Sequence, residues 1–299
     1  MSNVTGLWSR MLVTALSAAT VGALAAAPSA ADSLVEPLTD EEWAAHVKLV
    51  DERVAEAMDE GLATDVTYTV NGDGQTWLPD RVAQQEKIAD ELYRRGEQVP
   101  EEGEALFTGG LPGAGKTTAL NQNQDIDASQ YLVLNSDDAK EKLCEAGMIP
   151  EVEGIAPMEA ADLIQRESSR IAEMVAERAA AERKNVIWDT TMGSVASVDG
   201  KLATLKDAGY QQYSALFLDV PIEVSLERVD QRHREGYEKF RNGDTCEGRH
   251  VPERIIKAQI DREYSSANRR VFEERKTEFD RWYLYDATDM PAVLVSQNS

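Results

Sequence analysis

Gly110-Leu111-Pro112-Gly113-Ala114-Gly115-Lys116-Thr117 fits the pattern G-x-x-x-x-G-K-[ST] in full. Glycines lack a Cβ, so successive backbone N–H groups can turn inward around phosphate oxygens. A helix opening at Lys116-Thr117-Thr118 adds the partial positive charge of its N-terminus. Lys116 then reaches the β- and γ-phosphates of a nucleoside triphosphate, and the Thr117 hydroxyl ligates Mg2+. Gly110, Gly113, Ala114, Gly115, Lys116, Thr117 and Thr118 are therefore the expected nucleotide contacts, with ATP and Mg2+ as the expected cofactors.

Phosphoryl transfer also needs a carboxylate near the acceptor hydroxyl and positive charge around the transferring group. Two short apolar runs end in acids. Residues 131–134 lead into Ser136-Asp137-Asp138, and residues 185–188 lead into Asp189, Thr190 and Thr191. Either acid could serve as base or help to hold the metal. One of Asp137 and Asp138 is expected to cap the helix that follows. Cations gather further on, at Arg228, Arg232, Arg234, Lys239, Arg241, Arg249 and Arg254. Asp230, Glu235, Glu238 and Glu253 lie among them, so most of these cations read as a solvated helix face.

The elements that must position these groups follow from hydrophobic spacing. Residues 105–108, 131–134, 185–188, 213–218 and 282–285 read as buried strands. Longer helical stretches separate them, the longest at 157–183 and 252–281. Strand–helix alternation of this kind predicts an α/β fold, a P-loop NTPase-type parallel sheet with helices on both faces. Chemistry in such sheets lies outside the carboxyl ends of the strands, where Asp137 and Asp189 fall. Residues 32–103 read as a helical N-terminal annex with helices near 39–58 and 80–95 and a turn at 71–74. No chemistry is read there. The kinase-like domain is expected over 104–299.

The chain has 299 residues, 42% of them apolar, and a formal charge of −23. That composition supports a sizeable core and argues against disorder. So acidic a surface repels nucleic acid and anionic lipid, and neither is an expected partner. Cys144 and Cys246 show no metal-like spacing and read as two ordinary thiols in preference to a disulfide. Arg10, the apolar stretch 11–27 and Ser29-Ala30-Ala31 match a signal peptide cleaved near Ala31. Residues 1–31 are thus a signal peptide or an Ala-rich extension. Thr and Ser dilute the stretch too much for a stable membrane span.

Taken in order, the motifs resemble the zeta toxin family of P-loop kinases over residues 104–281. That resemblance implies transfer of a phosphoryl group to the amino sugar of UDP-N-acetylglucosamine, and an antitoxin protein as partner. Residues 110–118 resemble the family's nucleotide loop. Asn135-Ser136-Asp137-Asp138-Ala139-Lys140 resembles the segment of the catalytic base, which falls on Asp137. Arg166-Glu167-Ser168-Ser169 resembles a helical segment whose acid contacts the sugar, so Glu167 inherits that role. Asp189 and Thr191 fall in the turn beside the substrate. Residues 225–232 resemble the helix that supplies a lid arginine, matched by Arg232. Arg249-His250-Val251-Pro252 resembles an Arg-x-Thr-Pro segment, which makes Arg249 a second phosphate-facing arginine. Two departures lie on the substrate side. Gly193 stands where the family brings an arginine, and Thr190 stands where a glycine is common.

The expected function is an ATP-dependent kinase acting on a small-molecule hydroxyl. The alternatives are another small-molecule phosphotransferase, such as one acting on an antibiotic or a nucleotide, and an ATP-switched binding protein.

Overall fold

A computed structural model describes residues 35–298. The signal-peptide reading of residues 1–31 lies outside the described residues. In chain order the elements are α1 (Asp40–Asp59), α2 (Thr64–Thr67), α3 (Pro79–Arg94), β1 (Glu104–Gly109), α4 (Lys116–Gln122), β2 (Leu132–Leu134), α5 (Ser136–Glu145) and α6 (Gln165–Ala181). Then come β3 (Val186–Asp189), α7 (Val195–Asp207), β4 (Gln212–Asp219), α8 (Ile222–Arg241), α9 (Glu253–Lys257), α10 (Ala267–Arg275), β5 (Arg281–Asp286) and β6 (Val293–Gln297).

The sheet order is β2-β3-β1-β4-β5-β6, parallel except for the β5–β6 pair. Successive side chains on a strand point to opposite faces. Here Phe107, Val186, Trp188, Ala215 and Phe217 enter one core, while Leu106, Ile187, Leu216 and Leu218 enter the other. Both faces are therefore covered, as a parallel sheet requires. β1 lies at the centre, which brings the loop after it between the ends of β3 and β4.

The annex is held by its own caps and by shared core. Thr39 and Glu42 close a capping box at the start of α1. Pro79 occupies the first turn of α3, where its missing N–H costs nothing. Ile88, Ala89 and Leu92 of α3 pack in the same core as Phe107 and Val175.

Four expectations need correction. The stretch 157–183 is not one helix: a 3-10 segment, Pro157–Ile164, precedes α6. The stretch 252–281 breaks between α9 and α10, where the Asp261 carboxylate accepts from Glu263 N and Tyr264 N and makes a turn. Ser266 then caps α10 through the N–H of Arg269. The sheet is mixed, because the unforeseen β6 adds an exposed antiparallel edge strand. Cys144 and Cys246 are not free thiols. They form a disulfide across 102 residues, with Cα atoms 5.8 Å apart, tying the end of α5 to the loop after α8. Among the described residues, no helix is long and apolar enough to cross a membrane.

Candidate active site

The loop between β1 and α4 is shaped by close backbone approach. A Cβ on Gly110 would lie 2.4 Å from the carbonyl oxygen of Leu218, at the end of β4. Gly113 and Gly115 have φ of 75° and 85°, a left-handed conformation that favours glycine. The loop is also tied from outside. Ser225 Oγ, on α8, donates to Pro112 O at 2.7 Å, and Gly110 N donates to Thr191 O at 3.2 Å. Thr117 and Thr118 are exposed at the start of α4, while Lys116 is partly buried.

Lys116 Nζ lies 3.9 Å from Asp189 Oδ1. Asp189 is held by Thr108 Oγ1, which donates to Oδ1 at 2.6 Å, and by Asn135 Nδ2, which donates to Oδ2 at 3.3 Å. The same Asn135 caps α5, its Oδ1 accepting from Asp137 N at 2.8 Å. One chain of contacts therefore runs from Lys116 through Asp189 and Asn135 to Asp137. Neither Asp137 nor Asp138 caps the helix as expected. The asparagine does, which leaves both aspartates free for other partners.

Asp137 ion-pairs with Arg249, and Lys140 Nζ lies 3.4 Å from its Oδ1. Arg232 also acts on it. Burial pushes the Asp137 carboxyl up, but Arg249, Lys140 and Arg232 more than offset this and hold it below the ordinary carboxylate value. Burial pushes the Lys140 ammonium down against the pull of Asp137. Asp138 turns away to Arg95, 2.5 Å distant, and burial raises its carboxyl.

The turn after β3 carries both departures from the family pattern. Thr190 Oγ1 donates to Thr108 O at 2.9 Å and accepts from Met192 N at 3.1 Å. Threonine thus pins the turn to β1 where a glycine is common. Thr191 offers its exposed side chain outward while Asn268 Nδ2 grips its carbonyl at 2.8 Å. Gly193 is exposed and brings no side chain to this turn.

Glu167 departs from its expected place at the substrate. It is fully buried, and Arg81 Nε and Nη2 hold its two oxygens at 2.7 Å each. Gln85 Nε2 donates to it at 2.9 Å, and Arg81 also donates to Met148 O at 2.9 Å. Its acceptor positions are taken from within, by α3 of the annex. The physical reason is that α3 of the annex supplies a buried arginine.

The sequence reading missed Asn135, Lys140 and Asn268. The first two lie inside the segment 135–140, so their signal is adjacency alone. Asn268 Oδ1 is buried with no partner among the described residues.

A family model, "Zeta toxin", matches residues 89–296. No curated protein matches the chain. Among solved structures, the AvrRxo1-ORF1:AvrRxo1-ORF2 complex with sulphate ions is similar at 17% identity and a TM-score of 0.60 over 79% of this chain and 76% of that one. The same pair with ATP gives 18% identity and a TM-score of 0.60 over the same shares, 79% and 76%. A structure of the PezAT chromosomal toxin-antitoxin system of Streptococcus pneumoniae gives 16% identity and a TM-score of 0.52, over 72% of this chain and 80% of that one. The chain belongs to the zeta toxin family and is a phosphotransferase with a P-loop kinase fold.

Proposed function

We propose that this zeta toxin family member transfers the γ-phosphoryl group of ATP to a hydroxyl of a UDP-sugar resembling UDP-N-acetylglucosamine. One observation carries the reading: three cations, Arg249, Lys140 and Arg232, act on the single carboxylate of Asp137, which is linked through Asn135 and Asp189 to the loop lysine. Three cations acting on one carboxylate suit the cluster to an anion. The loop 110–117 and Lys116 hold the triphosphate. Arg249 and Arg232 brace the transferring group, whose negative charge spreads over its oxygens. Asp137, ionised because of its cationic neighbours, accepts the proton of the attacking hydroxyl. Thr191 and Asp189 border the acceptor.

The residues fit a magnesium ion. The Thr117 hydroxyl is exposed at the first turn of α4, and the Asp189 carboxylate stands beside Lys116. Mg2+ bound there would neutralise charge on the β- and γ-phosphates.

Gly193 and the sealed Glu167 remove two side chains that the family register would aim at a sugar. They favour a second reading in which the acceptor is another small hydroxyl compound. For the partner, the similar structures were solved within a toxin-antitoxin system or as a two-chain complex, which supports an antitoxin protein. For location, the Cys144–Cys246 disulfide supports export to an oxidising compartment, in keeping with the N-terminal signal pattern.

The test is to incubate purified protein, γ-labelled ATP and Mg2+ with UDP-N-acetylglucosamine and a panel of other hydroxyl compounds. The reading expects a sugar nucleotide one phosphate heavier. Transfer to another compound with none to the sugar nucleotide replaces the substrate and keeps the kinase. Absence of transfer to any acceptor, with ATP still bound, would support the binding-protein alternative.

A further inference from the structure

The chain has three histidines, His46, His233 and His250, and all three meet in one buried cluster. His46 lies on α1, His233 on α8, and His250 directly after Arg249. Between them stands Glu159, from the segment Pro157–Ile164, with no solvent exposure of its side chain. His46 Nε2 and His233 Nε2 each lie 2.7 Å from the same oxygen, Glu159 Oε1. His233 Nδ1 faces His250 Nδ1 at 3.3 Å, and His250 Nε2 lies 3.0 Å from Asp51 Oδ1.

We infer that His46, His233 and Glu159 form a binding site for a zinc-class divalent cation, which clamps α1 of the annex to α8 and the segment 157–164. The donor atoms lie within 4.8 Å of one another. Two imidazoles and one carboxylate are a donor set suited to zinc, with a fourth position left for water. Ligand bonds of roughly 2.0–2.1 Å place tetrahedral donors about 3.3 Å apart. The 2.7 Å contacts need open by only about half an ångström to reach that spacing.

Hydrogen-bond bookkeeping favours the ion. Without it, and with both imidazoles neutral, His233 places its one proton on Nε2 to donate to Glu159, and His250 places its own on Nε2 to donate to Asp51. The facing Nδ1 atoms then share no proton. With a cation on His233 Nε2, the ring proton moves to Nδ1 and points at His250 Nδ1. Every contact in the row Glu159–His233–His250–Asp51 is then made. This is the outer-shell pattern of metal-bound histidines, whose second nitrogen donates to a partner that fixes the ring. The other supports are in place. Ala156 N donates to Glu159 Oε2 at 2.8 Å, leaving Oε1 for the ion. Tyr237 stacks on His46 at 4.0 Å, and Trp43 meets His233 edge-on at 4.7 Å.

A chain of charge −23 collects cations on its surface, so bound metal alone is a poor readout. The experiment uses the untagged chain stripped by chelator, then titrated with Co2+ as a zinc stand-in and with Zn2+ in competition. The comparison variant is His46→Gln, whose side-chain amide still donates to Glu159 but is a poor metal ligand. The expected result is the visible absorption of four-coordinate Co2+ saturating at a single ion per chain, bleached by Zn2+, with a rise in melting temperature. In His46→Gln the affinity falls by more than roughly tenfold while the metal-free melting temperature stays near wild type. Absence of the spectrum in the wild type, or an equal spectrum and affinity in His46→Gln, overturns the site. Glu159→Ala serves as a second variant and must lose the spectrum if it folds. These readouts need no kinase activity.

Discussion

Glu167 and Asp137 both meet arginines, and they do so on opposite terms. Glu167 is sealed in the core, with Arg81 on both oxygens, Gln85 beside them and a backbone carbonyl completing the arginine. One anion meets one cation, and no solvent reaches the carboxylate. Asp137 is 38% exposed and pairs with Arg249 and Lys140, while the charge of Arg232 acts on it from further off. The first cluster is charge-balanced and closed. In the second, three cations act on one carboxylate that is partly open to solvent. A balanced buried pair is costly to break, because removing either member strands the other. An over-cationic pair at the end of a parallel sheet is suited to receive an anion, and phosphoryl groups are anions. The family register points to both carboxylates alike; charge balance and solvent access separate them.

The comparison breaks first at the loop. Lys116→Ala is expected to abolish phosphoryl transfer, since it removes the ammonium at the β- and γ-phosphates. Near-wild-type turnover of the purified variant would remove the phosphate site on which the second cluster depends. Next is Arg81→Ala, which strands Glu167 in the core and should destabilise the fold by about 3–5 kcal/mol. Chemical denaturation measures this. A loss within about 0.5 kcal/mol, the scale of an ordinary surface substitution, would mean the sealed pair does not hold the annex to the core.

The smallest effect is on pH dependence. Asp137 has a depressed folded-state pKa, so its pairing stabilises the fold in full above the ordinary carboxylate pKa. That contribution is lost as pH falls through the lower folded value. Because the pair is partly exposed, it amounts to about 0.2–1 kcal/mol and is screened by salt. The gap in denaturation midpoint between wild type and Arg249→Gln should therefore shrink from about pH 6 to about pH 3. A gap that widens on acidification would reverse the sign and remove the assignment of Asp137 as an ionised partner of Arg249.

The five parallel strands and the loop were legible because apolar runs and the glycine–lysine spacing are local signals. Helices α1 and α3 were legible for the same reason. What escaped is non-local. Arg81 and Glu167 stand 86 residues apart, and Cys144 and Cys246 stand 102 apart. Nothing in either neighbourhood announces its partner. The histidine cluster gathers side chains from α1, α8 and the segment after it, so no spacing rule could reveal it. Asn135 was hidden differently: it precedes two aspartates, either of which could have capped α5. The β6 strand escaped because its residues are all exposed and carry no burial pattern.

The measurement that bears most directly on the contrast between the two carboxylates is the single-turnover rate of phosphoryl transfer by Asp137→Asn, taken beside its ATP affinity. Asparagine keeps the shape of the side chain but cannot accept the hydroxyl proton. Transfer should slow by roughly 10²-fold or more, the usual scale for a general base. ATP affinity should stay near wild type, because the loop and Lys116 are untouched. A near-wild-type rate would contradict the account. Loss of ATP affinity in proportion to the rate would make Asp137 part of nucleotide or metal binding, and would contradict its role as base.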